Sequence, residues 1–300
     1  MLLAAELKTA PEVEQYFQAQ ADSAPSPNAK SKILFALANY VAEQDKARAL
    51  ALMTEAYNPE IVYAPTDLDF YGLALLDQGK TDEAAAVFEK LATNYPIPPG
   101  VLPAQTSAAV QEAQATAIFG RGRIAQVKGQ TAEAGKIFEE LKTLYPWSPK
   151  VFEANYGIAE SMRQEGKWDD ALLLLGTIIR ENNASAELRA KSTLLGGHLM
   201  LDKMKASTDQ KEQNEFLAAA IDYFMKVAQF YGGVPIPAAE GLWQGGQLLE
   251  QQAAAAADPA FKAKQLRVAR GAYDQLAKDY PNSEYAPKAK ERLTALGPQQ

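Results

Sequence analysis

The chain has 300 residues, about twice the usual size of one compact domain, so it is either two domains or one elongated one. It holds 55 Ala, 47% apolar and 22% charged residues, no Cys and one His, an inventory that excludes Cys/His zinc sites, disulfide scaffolds and thiol nucleophiles. With 30 basic against 37 acidic residues it lacks the cationic surface a nucleic-acid partner needs, and no apolar run nears the ~18 residues of a membrane span.

Residues 1–29 read as an N-terminal extension or partial repeat. Met1 to Glu6 lacks the basic start and the roughly 7–15-residue apolar stretch of a secretory signal, so the chain is read as cytoplasmic or as missing its leader. Residues 30–64 read as a degenerate helical repeat, centred on Ser31 to Asn58. From 65 to 297 a pattern takes over. Ala84, Phe88, Leu91, Tyr95 and Pro96 return as Ala134, Phe138, Leu141, Tyr145 and Pro146, and as Ala269, Tyr273, Leu276, Tyr280 and Pro281. Weaker copies are Ala171, Leu175, Ile178 and Asn182, and Ala220, Phe224, Val227 and Tyr231.

These offsets place the side chains on one stripe of an α-helix, and the Pro ends it by disfavouring helical geometry in the residue before. Ala at the first position predicts a partner helix crossing closely. Gly79, Gly129 and Gly166 each stand shortly before one of the alanines, where a Gly ends a preceding helix in left-handed geometry. Thr81 and Thr131 follow as predicted N-caps, with Asp82, Glu83 and Glu133 in the first turn. Gly72, Gly122 and Ala159 are the predicted close-contact points on the earlier helix of each pair.

Small residue, Gly, Ala, aromatic and Pro in this order and spacing resemble the tetratricopeptide repeat (TPR) family. The resemblance implies an all-α fold, a right-handed α-α superhelix of about five to six helix hairpins plus a C-terminal helix. The alanines are 50, 37, 49 and 49 residues apart, against about 34 in the family. The first excess falls on the proline-rich Ile97 to Thr106, which reads as a linker. The last two fall on Lys203 to Phe216 and Ala253 to Gln265, which read as about two extra turns per helix, roughly 10 Å. Asp258-Pro259 reads as an N-cap and first helical position. A flexible loop around Ala206 to Gln213 is the alternative.

Tyr280-Pro-Asn-Ser-Glu-Tyr-Ala-Pro-Lys-Ala, and more loosely Tyr145-Pro-Trp-Ser-Pro-Lys-Val-Phe-Glu-Ala, resemble segments common in bacterial cell-envelope repeat proteins. These include the lipoprotein of the outer-membrane barrel assembly machine and the periplasmic coordinator of the Tol-Pal system. In this reading Ser148 and Ser283 cap the following helix, and Phe152 or Tyr285 packs on the preceding pair.

Chemistry-bearing motifs have plain structural readings. Gly120-Arg-Gly122-Arg-Ile-Ala125 fits a dinucleotide loop only if it follows a strand, and here Gln111 to Val127 reads as one helix. His198 sits in an apolar helical run with no second ligand at helical spacing, so it reads as structural. Asp67, Asp69, Asp169 and Asp170 stand at helix starts, where the dipole favours them. No catalytic residue, metal site or cofactor is predicted.

The family's groove positions, carried onto this chain, are Thr66, Asp69, Leu73 and Leu76; Thr116, Phe119, Arg123 and Gln126; and Glu153, Tyr156, Glu160 and Arg163. Asp69, Leu73, Phe119, Arg123, Tyr156, Glu160 and Arg163, together with Trp243 among its flanking glycines, form the predicted protein-binding set. The resemblance implies a non-catalytic scaffold that holds a peptide or partner helix, in a periplasmic or envelope assembly. The alternative is a spacer or self-association module from a larger repeat protein.

Overall fold

The computed structural model describes residues 10–42 and 45–297, and all regular structure among them is helical. The chain divides into two compact units, Met1–Ala154 and Asn155–Gln300. The first contains α1 (Ala10–Asp22), α2 (Pro27–Val41), α3 (Lys46–Ala56), α4 (Pro65–Asp77), α5 (Thr81–Asn94), α6 (Ala108–Val127) and α7 (Thr131–Leu144). It also holds the start of α8 (Lys150–Gln164), whose remainder opens the second unit. There follow α9 (Trp168–Arg180), α10 (Ala186–Ala206), α11 (Gln210–Tyr231), α12 (Pro235–Ala255), α13 (Pro259–Asp279) and α14 (Ala286–Ala295). Of the extension over 1–29, residues 10–22 are α1, packed on α2, and residues 1–9 lie outside the described residues. The degenerate repeat is the pair α2 and α3.

In the first unit α5 packs against α4 and α6 while α4 also touches α6; in the second, α11 packs against α10 and α12 while α10 touches α12. In both units this second helix wedges between two first helices, the stacking of a TPR-like α-solenoid.

Three tight turns follow one scheme. Gly79, Gly129 and Gly166 take φ of 72°, 72° and 75°. Lys80 N–H then donates to the Leu75 carbonyl (2.9 Å) and Gly79 N–H to that of Leu76 (2.9 Å), the paired bonds of a Schellman motif. Gln130 with Ala125 (2.8 Å) and Lys167 with Met162 (2.8 Å) repeat the longer bond. This geometry corrects the predicted caps. Thr81 and Thr131 are the first helical residues, and Lys80 and Gln130 hold the cap positions without a side-chain bond. The residue closing one helix is also the cap of the next, so the turn has no place for a capping hydroxyl. Side-chain caps occur where a link does not close in this turn, at Ser107 and Ser185 and, in two links of the same three-residue length, at Asp209 and Asp258. Ser148 and Ser283 accept from the amides of Lys150 (3.2 Å) and Tyr285 (3.1 Å), bracing the turn before α8 and α14 rather than capping those helices.

All five repeat alanines, Ala84, Ala134, Ala171, Ala220 and Ala269, are 0% exposed, which places the predicted stripe on the core side. Opposite it the rings press into glycines. A Cβ at Gly72 would lie 2.5 Å from Phe88 Cζ, one at Gly197 2.7 Å from Phe224 Cε1, and one at Gly246 2.5 Å from Tyr273 Cε1. Cβ atoms at Gly122 and Gly120 would overlap the rings of Phe138 and Phe88. The Gly-x-Gly pair therefore lies mid-helix in α6 and receives two rings, which leaves it no phosphate-cradling role. Where the ring position is Leu175, the small position is Ala159, and both are buried.

The tyrosines of the Tyr-Pro pairs lie just past their helices with φ of −125°, −134° and −128° at Tyr95, Tyr145 and Tyr280. Tyr95 Oη donates to the Tyr63 carbonyl (3.0 Å) and Tyr280 Oη to that of Gly232 (2.9 Å), each tying the end of a hairpin to the chain just before its first helix.

The long spacings are helix. Helices α10 to α13 have 21, 22, 21 and 21 residues, against 13 and 14 in α4 and α5. The stretch 203–216 is helical to Ala206 and again from Gln210, so the alternative of a loop around Ala206 to Gln213 shrinks to a three-residue turn. Asp258 caps α13, accepting from Ala260 N (3.0 Å) and Phe261 N (3.3 Å), with Pro259 in the first turn as predicted. The linker after α5 includes a turn of 3₁₀ helix, Pro103–Gln105, and part of that first excess goes into the 20-residue α6.

Gly122→Ala should destabilise the chain by about 1–3 kcal/mol through overpacking, less up to ~1 kcal/mol from better helix propensity. Phe138→Leu in the same chain should recover most of that loss, because Ala159 and Leu175 already form such a combination. Thermal melts of both single variants and the double check this; strictly additive losses would show that ring and glycine act independently.

Candidate protein-binding face

In the first unit, α4 and α6 lie side by side and present Asp69 and Phe119 to the same cation. Lys150, the first residue of α8, places Nζ 2.6 Å from Asp69 Oδ2, 3.0 Å from both carboxylate oxygens of Glu153, and 4.9 Å from the centre of the Phe119 ring. The pair is largely buried, with side-chain exposures of 15% for Lys150 and 18% for Asp69. Burial works against the charge on Lys150, but Asp69 and Glu153 outweigh it and hold its pKa above the ordinary lysine value. Asp69 Oδ1 is buried with no hydrogen-bond partner, so this carboxylate depends on Lys150 for compensation.

The helix dipole alone therefore does not account for Asp69. Asp67, two residues earlier, accepts from Asn39 Nδ2 (2.9 Å) instead. Phe119 is 4% exposed, with Phe138 5.8 Å away between ring centres and the Lys150 ammonium over its face. Leu73 is half-buried against the first unit's core, and Leu76 and Thr116 are buried. One turn along from Phe119, Arg123 is half-buried and donates from Nη1 to Gln126 Oε1 (2.7 Å).

In the second unit Tyr156 and Glu160 are half-buried on α8, and Arg163 Nε donates to Asp202 Oδ2 of α10 (2.5 Å). Trp243 is half-buried against the core of this unit, 5.6 Å from Tyr273 and stacked at 6.1 Å on Tyr285. Its neighbouring glycines take other contacts: Gly241 meets the Phe224 backbone and Gly246 the Tyr273 ring. His198 shares a 3.2 Å hydrogen bond with Glu240 Oε1 across α10 and α12 and meets Phe224 edge-on at 5.1 Å, a structural placement. Asp169 accepts from Lys203 Nζ (2.5 Å).

Sequence reasoning missed Lys150. Its bond to Asp69 spans 81 residues, and it lies outside the positions carried over from the family. The only local signal is Glu153, three residues on in the first turn of α8.

Residues 71–96 and 242–283 match the family model for the tetratricopeptide repeat, so the chain contains such repeats. No curated protein sequence matches it significantly. Among solved structures, the C-terminal part of a TPR repeat-containing protein from Cytophaga hutchinsonii aligns over 93% of this chain and 94% of that one, at 14% identity and a TM-score of 0.41. The TPR domain of P58(IPK) aligns over 98% and 95%, at 15% identity and a TM-score of 0.25.

Lys150→Met should cost about 1–3 kcal/mol in urea unfolding, because it leaves a mostly buried carboxylate without its cation. Asp69→Asn in the same background should restore a large part of that loss. A loss unchanged by Asp69→Asn would show that Lys150 stabilises through its alkyl stem alone.

Proposed function

We propose that this chain is a non-catalytic scaffold that binds a peptide or partner helix on its first-helix faces, within a bacterial envelope assembly. The observation that carries the reading is the Lys150 node, which ties α4, α6 and α8 together. A polar face held this firmly needs little ordering when a partner docks, which favours binding. Tetratricopeptide repeats act generally as protein-interaction modules, and the two matched segments are of that kind. The Tyr-Pro-x-Ser resemblance supports the envelope setting.

Arg123 and Arg163 are better probes than the buried Phe119, because each is half-buried and charged. With the chain immobilised and lysate from its source passed over it, a specific protein should be retained. Arg123→Gln and Arg163→Gln together, which leave Asp202 a hydrogen-bonding neighbour rather than a second carboxylate, should reduce that retention by about tenfold or more, with the circular dichroism melt changed little. Undiminished retention by the double variant would move the site off these faces. Growth of particle mass with concentration, without retention of another protein, would favour the self-association reading.

A further inference from the structure

The long helices of the second unit end in two short turns, residues 207–209 between α10 and α11 and 256–258 between α12 and α13. Between these hairpin ends lies a cleft of about 600 Å³, the size of many ligand sites. Its lining residues fall within 204–217 and 251–261, nearly all in the segments that lengthen these hairpins beyond the family's unit. The extra turns of helix therefore create a concavity that a repeat of ordinary length would lack.

The lining has an unusual chemistry. Five side chains are carboxamides: Gln210, Gln213, Asn214, Gln251 and Gln252. Met204, Leu217 and Phe261 supply apolar surface, together with alanines around Ala255. Formal charge is limited to Lys205 and Asp258, and both Asp258 oxygens already cap α13. The Gln251 carboxamide makes no hydrogen bond among the described residues; Gln213 spends only its Nε2, on the Ser207 carbonyl (2.7 Å), Gln210 Nε2 donates to Asn214 Oδ1 (3.3 Å), and Gln252 Oε1 accepts from Gln265 Nε2 (2.9 Å).

We propose that this cleft binds an uncharged peptide segment in extended conformation, its main chain paired with the carboxamides and one apolar side chain seated on Met204, Leu217 and Phe261. Gln251 offers donor and acceptor uncommitted, and the other four, each with one bond made, keep a second N–H or a second lone pair, which matches the alternating N–H and C=O of an extended chain. Methionine adapts its shape to an incoming side chain. An anionic ligand would meet a single cation here, and a cationic one only a carboxylate already committed to its helix. A saccharide would find one aromatic face, that of Phe261. None of these residues belongs to the proposed groove set, so the two readings fail separately.

The test uses the full chain and two libraries of N-acetylated, C-amidated dodecapeptides, one without charged residues and one with them. The strongest selected peptide is then titrated by fluorescence polarisation against wild type, Gln251→Ala and Ala255→Trp. Both substituted positions are exposed on α12. The proposal expects uncharged sequences sharing one apolar anchor, saturable binding, and a loss of about tenfold or more in each variant without a change in the melt. Should Ala255→Trp melt early, Gln251→Ala alone decides. Absence of any saturating peptide, selection of charged sequences, full affinity in the variants, or displacement of the peptide by neutral oligosaccharides would each overturn it.

Discussion

An aromatic ring seated on a glycine sets the distance between helices in this molecule. Phe88, Phe138, Phe224 and Tyr273 each occupy the space where a Cβ would stand on Gly72, Gly122, Gly197 or Gly246. The contact lets two backbones approach closely while filling the gap with a large apolar group, so burial and proximity come from one pair of residues. Phe88 extends the scheme, meeting Gly72 on α4 and Gly120 on α6, and so joins one hairpin to the next. With helix separation fixed this way, first helices lie side by side, and α4 and α6 can share Lys150.

The repeat was legible because its determinants are local. Glycines that close Schellman turns, alanines on the buried stripe and Tyr-Pro stops act within a few residues of their own position, and the structure places them as the sequence predicts. Thr81 and Thr131 misled because the glycine turn sets Lys80 and Gln130 at the cap, where each closes one helix and opens the next, whereas two three-residue links without that turn end in a capping Asp, Asp209 and Asp258. Gly120 received no packing role from the repeat spacing because its ring partner, Phe88, belongs to the previous hairpin. Lys150 was invisible for the same reason: its carboxylate is far away in sequence, and only the packing of α4 with α6 reveals it. The glycines beside Trp243 make room for packed neighbours, a role their spacing does not reveal, while the half-buried indole stacks on Tyr285.

The lengthened hairpins have a consequence that repeat spacing alone does not reveal. Added turns preserve the ring-glycine contacts, since Gly197 and Gly246 still meet Phe224 and Tyr273. They extend the helices beyond the last of these contacts, and there polar carboxamides replace the repeat's apolar stripe. The same segment is thus regular where it builds the solenoid and divergent where it builds a cleft, which separates the residues answerable for folding from those available for recognition.

Proton chemical shifts of the glycine Hα atoms test the central claim most directly, because an aromatic face shields protons lying over it. The account predicts strongly upfield Hα resonances for Gly72, Gly122, Gly197 and Gly246, and ordinary helical values for Gly135 and Gly271, which have no neighbour within 4 Å of a notional Cβ. In a Phe138→Leu variant the Gly122 shift should collapse while the other three remain. Ordinary shifts at all six glycines would contradict the account.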